Sequence, residues 1–531
     1  MKNNNKKIMQ RSSTGFAVAS LAIAIAAFSS HDVQAGETFR FDNGATLDWS
    51  VTTSYGIGIR MQSPDSKLIA DSNTDDGYRN FDRHSLTTHR LTALGELILR
   101  KDNWGAVLRG STFYDDVYHN SNDNDSPGTV SKGGDHNEFT SDAKKYSGGR
   151  SRFLDAYLFA DFDLPARQRL GVKAGRHVVA WGEGLFYPGV NGVQGPVNVV
   201  NSGQPGIEVK DIMLPVGQVS ANWEINPDFG LSAYVQYEWK GNELNPVGSY
   251  LSNSDVTGPG REIMYNPLLP GGRAYYAGTN DPRDSGQYGI RAMYRPTLST
   301  ELGFFHVRYH DRNPATVSVV GVLPDFSAGL FEIDYAEDIK LTGMSFSTSV
   351  GDTQVGGEWS YRTGAPVMLA GNQLTTGSGQ QMQLSFIRAF GDMPWASSTT
   401  IMGEVVHVRA DDVDKIGNND DYTYKTATGW QTKTATAYTL QGVLSYPGIF
   451  SGWDLNVPIN WSHVVEGNTP LKGTISAGQG DKRMSLGATF KYLGNLELNT
   501  TYTAYLYSAE PARGRVLADR DYLTFSAKYS F

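Results

Sequence analysis

Stretches of roughly ten residues, in which apolar and polar side chains alternate strictly, recur along the chain, as in strands of a membrane β-barrel. In the first, residues 47–60, one face carries Leu47, Trp49, Val51, Tyr55, Ile57 and Ile59, and the other carries Asp48, Ser50, Thr52, Ser54 and Arg60. Successive side chains of a strand point to opposite faces. One face of each stretch therefore suits lipid and the other suits water. Residues 229–240, 452–463 and 522–531 show the same pattern.

The alternating stretches predict an all-β, transmembrane antiparallel β-barrel of about 18 strands, with 16 possible. The candidate strands lie near residues 47–60, 88–100, 104–114, 152–163, 169–181, 218–226, 229–240, 287–295, 301–310, 338–349, 353–362, 380–390, 398–409, 435–446, 452–463, 482–492, 495–507 and 522–531. Short links alternate with long ones throughout. Outer-membrane barrels have short periplasmic turns and long external loops, so both termini are expected on the periplasmic side. A secreted soluble β-sandwich is the alternative.

The first 35 residues have the pattern of a secretory signal peptide. Basic residues precede a short apolar stretch, and small residues end at Ala35. The expected organisation is a signal peptide over residues 1–35 and a single barrel domain over residues 36–531. No later segment is apolar for long enough to form a transmembrane helix. The predicted location is the outer membrane of a Gram-negative bacterium, in contact with its lipid and lipopolysaccharide.

Composition narrows the chemistry. The formal net charge is -9, which argues against nucleic-acid binding, and there is no cysteine for a disulfide or a thiolate metal site. Familiar nucleophile, metal and phosphate motifs are missing, so we expect no enzyme activity, no cofactor and no metal. His306 and His310, with Arg308 between them, are interpreted as lumen-facing residues, and the acidic loops as solvated. The residues expected to join the lumen face are Glu238, Arg291, Arg295, Glu358, Arg388, Glu404 and Arg409.

One segment, GRHVVAWGEGLFYPGVNGVQGPVNVVN at residues 175–201, departs from this pattern. It begins as a strand but then becomes rich in Gly, Pro and Val, and Glu183 is the only charged residue between Arg176 and Glu208. An external loop this apolar would be unusual beside acidic neighbours. We therefore predict that the segment folds into the lumen, tethered by Arg176, Glu183 and Glu208. A surface loop packed on other loops is the alternative.

This segment, with the following PGIEVKDIMLP, resembles the domain of unknown function 1302 family of Gram-negative outer-membrane proteins. The resemblance extends in order over nearly the whole chain after the signal peptide. It marks as constriction and family-motif residues Gly175, Arg176, Trp181, Gly182, Glu183, Asn191, Pro196, Asn198, Pro205, Gly206, Glu208 and Pro215. Two departures stand out: His177 replaces the usual Gln, and Asn198 stands where the family has Asp.

The residues themselves predict an outer-membrane channel or transporter. The resemblance implies hydrophobic or lipid-like cargo, a periplasmic lipid-carrier-like protein and an inner-membrane exporter as partners. A lipid-modifying enzyme is an alternative, with Ser462 and His463 as the nearest pair, although adjacent strand residues point to opposite faces. An adhesin acting through the external loops is another. Tyr529 and Phe531 end the last strand in the manner of a signal for the barrel assembly machinery.

Overall fold

A computed structural model describes residues 38–426, 429–471 and 473–531. The predicted signal peptide and its cleavage site lie outside these residues. We number the strands of the barrel wall β1 to β18. In chain order they are Thr46–Arg60, Leu86–Lys101, Trp104–Asp115, Gly149–Leu164, Gln168–His177, Val216–Glu224, Phe229–Gln236, Gln287–Thr297, Thr300–Tyr309, Ile339–Val350, Thr353–Leu369, Gln373–Phe390, Ser398–Val413, Thr434–Phe450, Trp453–Gly467, Lys482–Tyr492, Leu496–Tyr505 and Tyr522–Ser530.

Each wall strand pairs antiparallel with its neighbours in sequence, and the sheet closes on itself. The closing pair is β1 with β18, from Thr52 opposite Ser530 to Arg60 opposite Tyr522. The predicted antiparallel barrel is confirmed, with 18 strands. Closure leaves no edge strand with unpaired backbone groups, as a sheet in lipid requires. Among the described residues, no helix is long and apolar enough to cross a bilayer.

Three predicted strand ends were wrong in an informative way. Strand β5 ends at His177 rather than at residue 181, because the chain leaves the wall there. Strands β11 and β12 extend toward each other until only residues 370–372 separate them, so this external connection is a tight turn rather than a long loop. Gly, Thr and Ser residues there masked the alternation that marks other strands.

The outward face of the wall carries large apolar side chains, among them Leu91 at 59% and Phe153 at 67% exposure. A soluble protein would bury such a belt, whereas lipid covers it in a membrane barrel. The inward face is polar where predicted: Glu358 and Glu404 are buried in the lumen. The predicted orientation of His306 is wrong. It lies opposite exposed Ile290 on the outward face, with Arg308 on the same side. Arg388 and Arg409 are directed outward too. Arg388 lies opposite exposed Ile401, and Arg409 lies opposite Gln380, two positions from exposed Met382.

The short turns and both described chain ends lie at one end of the barrel, which is the periplasmic end by the rule for such barrels. The opposite, external end carries the long connections. Two of them build a small second sheet from Ile263–Tyr265, Arg273–Asn280, Thr316–Val322 and Gly329–Asp334. Four connections, residues 61–85, 116–148, 242–262 and 506–521, pack together around buried aromatic side chains. We call these four segments the external crown.

Candidate functional site: a loop inserted into the lumen

The connection between β5 and β6, residues 178–215, lies inside the barrel; we call it the inner loop. Its first part contacts strands β11 to β14 and its later part contacts β1, β3 and β18. The loop thus reaches across the lumen rather than covering its mouth. The predicted insertion of one loop into the barrel is confirmed.

Glu404 on β13 holds the first turn of the inner loop through its backbone. Its carboxylate accepts N–H groups from Leu185 at 3.2 Å, Phe186 at 2.6 Å and Tyr187 at 2.9 Å. Successive amides converging on one anion form a strong, charge-assisted arrangement. The contact fixes the loop without using a charged loop side chain, because the wall supplies the charge.

Glu358 on β11 binds amides on either side of that turn in the same way. It accepts the backbone N–H groups of Glu183 at 3.1 Å and Val190 at 2.6 Å. Gly182 adopts φ +111°, and a Cβ there would lie 2.5 Å from the Glu358 carboxylate. The family glycine at this position is therefore required both by backbone conformation and by the close approach of the anchor.

Side-chain contacts complete the first half of the inner loop. Trp181 packs on the lumen-facing Tyr234 with ring centroids 5.0 Å apart, and the backbone N–H of Trp181 donates to the side-chain oxygen of buried Gln194 at 2.7 Å. The Tyr187 hydroxyl accepts from Thr439 on β14 at 2.9 Å. Burial raises the pKa of Tyr187 to about 12, so its hydroxyl stays neutral near neutral pH.

The second half is held by close packing and an ion pair. Pro205 lies against β1 where the wall residue is Gly56, and a Cβ on Gly56 would lie 2.5 Å from the Pro205 ring. Glu208 pairs with Lys528 of β18 at 2.9 Å. The Lys528 hydrogen bond lowers the pKa of Glu208. The Glu208 part of the predicted tether therefore has a wall partner.

The other two predicted tethers do not act as proposed. Arg176 lies opposite Gly217, two positions from exposed Val219, so it faces outward and pairs with Glu238 at 2.8 Å. The predicted lumen orientation of Arg176 is wrong, because the strand keeps its register up to His177. The Glu183 carboxylate accepts no hydrogen bond from the described residues, and only its backbone is anchored. Burial raises the pKa of Glu183, and the nearby charge of Glu301 raises it further.

Most other family-motif residues shape the loop rather than line an open passage. Asn191 accepts from the Gly189 N–H and donates to the Gly184 carbonyl, and Asn198 caps the short helix Val199–Ser202. Asn and Asp cap helices equally well, so the departure at position 198 preserves this role. The remaining members lie at bends or wall contacts: Gly175 and Gly206 at positive φ, Pro196 accepting from the Leu214 N–H, and Pro215 buried before β6.

Above the inner loop, on the external side, lies a cavity of about 700 Å³, which we call the vestibule. Its floor includes Phe186, Tyr187 and Val193 of the inner loop, and its wall includes the charged residues Arg312 and Arg483. This volume is in the range of small-molecule sites, roughly 300 to 1,000 Å³. The vestibule therefore offers apolar surface and charge to the same solute.

Ser462 and His463, the pair considered for lipid chemistry, are directed to opposite faces as expected. Ser462 lies opposite Thr439, whose hydroxyl donates to Tyr187 inside the barrel, and His463 lies opposite Tyr438. Leu440, two positions from Tyr438, is an exposed outward residue. The two side chains therefore cannot act together as a nucleophile and its base.

The sequence pattern did not identify Glu358 and Glu404 as the anchors of the inner loop. It predicts only that both residues face the lumen. The signal that could have found them is a lone buried carboxylate on each of two nearby strands, with no basic cross-strand partner.

Tyr529 and Phe531 lie 4.7 Å apart, ring to ring, at the periplasmic end of β18. Their role as an assembly signal stays a prediction.

A closed, lipid-facing barrel with a loop inserted into its lumen defines the class of outer-membrane-type β-barrels with a narrowed interior. The chain belongs to the family described as protein of unknown function (DUF1302), whose profile matches residues 16–531. No protein with a curated description matches the chain.

Among solved structures, the chain is similar to Acinetobacter baumannii OccAB1, with 10% identity, a TM-score of 0.45, and 94% of this chain and 99% of that one covered. It is also similar to Pseudomonas aeruginosa OccK8 (OprE), with 9% identity, a TM-score of 0.43, and 91% and 98% covered. The outer membrane channel DcaP of Acinetobacter baumannii gives 11% identity, a TM-score of 0.37, and 94% and 100% covered. Likenesses this distant carry no argument about function.

Proposed function

We propose that the protein is an outer-membrane channel in which the inner loop narrows the lumen and separates the external vestibule from the periplasmic side. The observation that carries this proposal is the anchoring of a nearly uncharged loop across the lumen by Glu358 and Glu404. A barrel of this size would otherwise enclose a broad aqueous channel. A loop held at both sides of the lumen is a structural means of restricting it.

Deletion of residues 184–205 tests the constriction. The proposal expects single-channel conductance in planar bilayers to rise severalfold, because the narrowest part of the path is removed. Deleting residues 415–426, an exposed external segment, is the control and should leave conductance unchanged. A shift in mobility on boiling verifies that each variant forms a closed barrel. Unchanged conductance in a correctly assembled 184–205 deletion would overturn the proposal.

The proposed cargo is a hydrophobic or lipid-like molecule with a polar group. Phe186, Val193 and Ile475 give the vestibule apolar surface. Its charged lining has three arginines, Arg312, Arg362 and Arg483, against the two carboxylates of Asp311 and Asp481. Such a lining favours amphipathic solutes over simple sugars. In proteoliposomes, an anionic amphiphile should block ion current at lower concentration than a sugar of similar size. Equal block by both would contradict this choice of cargo.

We further propose that a periplasmic lipid-carrier-like protein and an inner-membrane exporter work with the barrel. The periplasmic turn at residues 391–397 exposes Trp395, and the external sheet exposes Phe326. A photo-crosslinking residue at Trp395 should capture a soluble periplasmic protein in cells, whereas the same group at Phe326 should not. The same yield at both positions would contradict a periplasmic docking site.

A further inference from the structure

Three carboxylates from two external connections meet inside the external crown. Asp75 and Asp76 belong to the connection between β1 and β2, and Asp255 belongs to the one between β7 and β8. Their exposures are 0%, 2% and 0%. One carboxylate oxygen of each lies within 4.8 Å of those of the other two. Acidic surface loops usually keep such groups apart in water, so this burial requires an explanation.

Each carboxylate is held through one oxygen, while its other oxygen has no partner. The Oδ2 atoms accept from Arg79 Nε at 2.5 Å for Asp75, from the Ser131 N–H at 3.1 Å for Asp76, and from the Asp76 N–H at 3.1 Å for Asp255. All three Oδ1 atoms are buried and have no hydrogen-bond partner among the described residues. A buried, unpartnered carboxylate oxygen is costly. Each of the three carboxylates therefore has a buried oxygen that is available to a cation.

The charges around the cluster do not balance it. Arg79 pairs with Asp75, and Lys132 and Arg520 contribute weaker attraction to Asp76 and Asp255. Three buried carboxylates with one directly paired arginine leave negative charge inside the crown that a cation would neutralise.

We propose that Asp75, Asp76 and Asp255 bind a divalent metal ion, with Ca²⁺ preferred, in the external crown. The ligands are all oxygen, which suits hard cations and not zinc. Ca²⁺ takes oxygen ligands in flexible geometry, whereas Mg²⁺ demands near-ideal octahedral geometry and keeps several waters, so carboxylates from irregular loops suit calcium better. Water would supply the remaining coordination positions.

The ion would join three external connections. Asp75 and Asp76 come from residues 61–85 and Asp255 from residues 242–262, and the Ser131 N–H on Asp76 brings in residues 116–148. Cation binding would then order the external crown without touching the inner loop. The site is thus independent of the proposed channel function.

Calcium titration by calorimetry tests the site, using full-length protein refolded in detergent without lipopolysaccharide and treated with chelator beforehand. We expect one site per chain, with a dissociation constant of about 10⁻⁴ M or tighter, as in extracellular calcium modules. Asp255→Asn, which keeps the shape of the side chain, should weaken binding at least about tenfold. Asp125→Asn is the matched control, since Asp125 is an exposed carboxylate in the same crown.

Protease protection provides a second readout. Calcium should slow cleavage of the crown loops in the native protein and in Asp125→Asn, but not in Asp255→Asn; Asp75→Asn replaces Asp255→Asn if that variant does not fold. Absence of calcium binding to the folded native protein would overturn the proposal. Equal binding by Asp255→Asn would do so too, as would a crown that responds to pH near neutrality but not to calcium.

Discussion

The inner loop and the external crown are both held by buried charges, but the charges have opposite signs. In the lumen, Glu358 and Glu404 accept backbone N–H groups of the inner loop. In the crown, Arg60 and Arg520 donate to backbone carbonyls. Arg60 reaches the Tyr78 carbonyl at 2.8 Å, and Arg520 reaches the Gly77 carbonyl at 2.7 Å.

The comparison teaches that a fixed charge can position an irregular segment without help from its side chains. Irregular backbone buried in a barrel must find partners for its polar groups. Wall carboxylates serve the N–H groups of the inner loop, which leaves its side chains free to be apolar. In the crown, the arginines donate hydrogen bonds to backbone carbonyls, and aromatic side chains pack around the arginines. Four variants, each with a control, separate the two modes of anchoring.

The largest effect is expected from Arg520→Met. Arg520 is fully buried and donates to carbonyls of Gly77, Tyr250 and Ser252. Removing it leaves these acceptors without the Arg520 donor and takes away one of the two arginines beside Asp519, which should cost about 3 to 5 kcal/mol of crown stability. The measurement is the rate of proteolysis in the external loops. Conductance should not change.

Arg513→Met is the control for that variant. Arg513 lies in the same connection but is partly exposed, and it pairs with Glu510 at 2.8 Å. Its loss should cost less than about 1 kcal/mol. Equal proteolysis rates for the two variants would show that the buried arginine does not hold the crown.

The second effect concerns the inner loop. Replacing Glu358 and Glu404 together by Gln keeps the size of each anchor but removes its charge. Charge-assisted hydrogen bonds become neutral ones, and one acceptor oxygen per residue is lost, which should cost about 1.5 to 3 kcal/mol per anchor. Single-channel recordings should show larger current fluctuations. Crown proteolysis should stay unchanged.

Glu301→Gln is the matched control, because Glu301 faces the lumen and, within the described part of the chain, forms its ion pairs with the wall residues Arg291 and Arg295. A quiet, unaltered current in the double variant would mean that the wall carboxylates do not fix the inner loop. The same fluctuations in Glu301→Gln would attribute the effect to lumen charge in general.

A smaller effect is expected from Gly56→Ala, which presses on the second half of the inner loop. The added methyl would meet the Pro205 ring at 2.5 Å, and overpacking of this kind costs about 1 to 3 kcal/mol. The loop should shift, and conductance should change less than in the double anchor variant. Gly95→Ala, where an added methyl meets nothing within 4 Å, is the control. Identical behaviour of the two alanine variants would argue against the Pro205 contact.

The smallest effect is expected from the Glu208–Lys528 ion pair, which is partly exposed and contributes less than about 1 kcal/mol. Because Lys528 lowers the pKa of Glu208, the stabilisation is present above the ordinary glutamate value of about 4.3. It is lost as the pH falls through the lowered pKa. Current fluctuations should therefore increase only in acid, below that ordinary value.

Lys528→Gln should remove the acid dependence and show the fluctuating current at neutral pH as well. Lys491→Gln provides the control, since Lys491 pairs with Glu497 and not with the inner loop. An acid response that persists in Lys528→Gln would assign the titration to another group.

The alternation of side chains was sufficient to predict the barrel and its strand number, because a strand's two faces meet lipid and water directly. The break in the alternation also predicted that the inner loop enters the lumen, because a segment with few charges and many glycines and valines suits neither the lipid-facing nor the water-facing side of the wall. The alternation was insufficient to orient Arg176, because a shift of one residue in the assumed strand phase moves the side chain to the opposite face of the wall. His306 and Arg308 failed for the same reason.

Local sequence pattern thus determined which side chains face lipid, which end of the barrel is periplasmic and which segment enters the lumen. Each of these depends on residues that are close together in the chain. Tertiary structure decided the partners. Glu404 lies more than two hundred residues from the amides that it binds, and Asp255 lies far along the chain from Asp75 and Asp76. Such contacts depend on which strands and loops the closed barrel brings together. Alternation sets the face of a side chain but not its neighbour across the lumen.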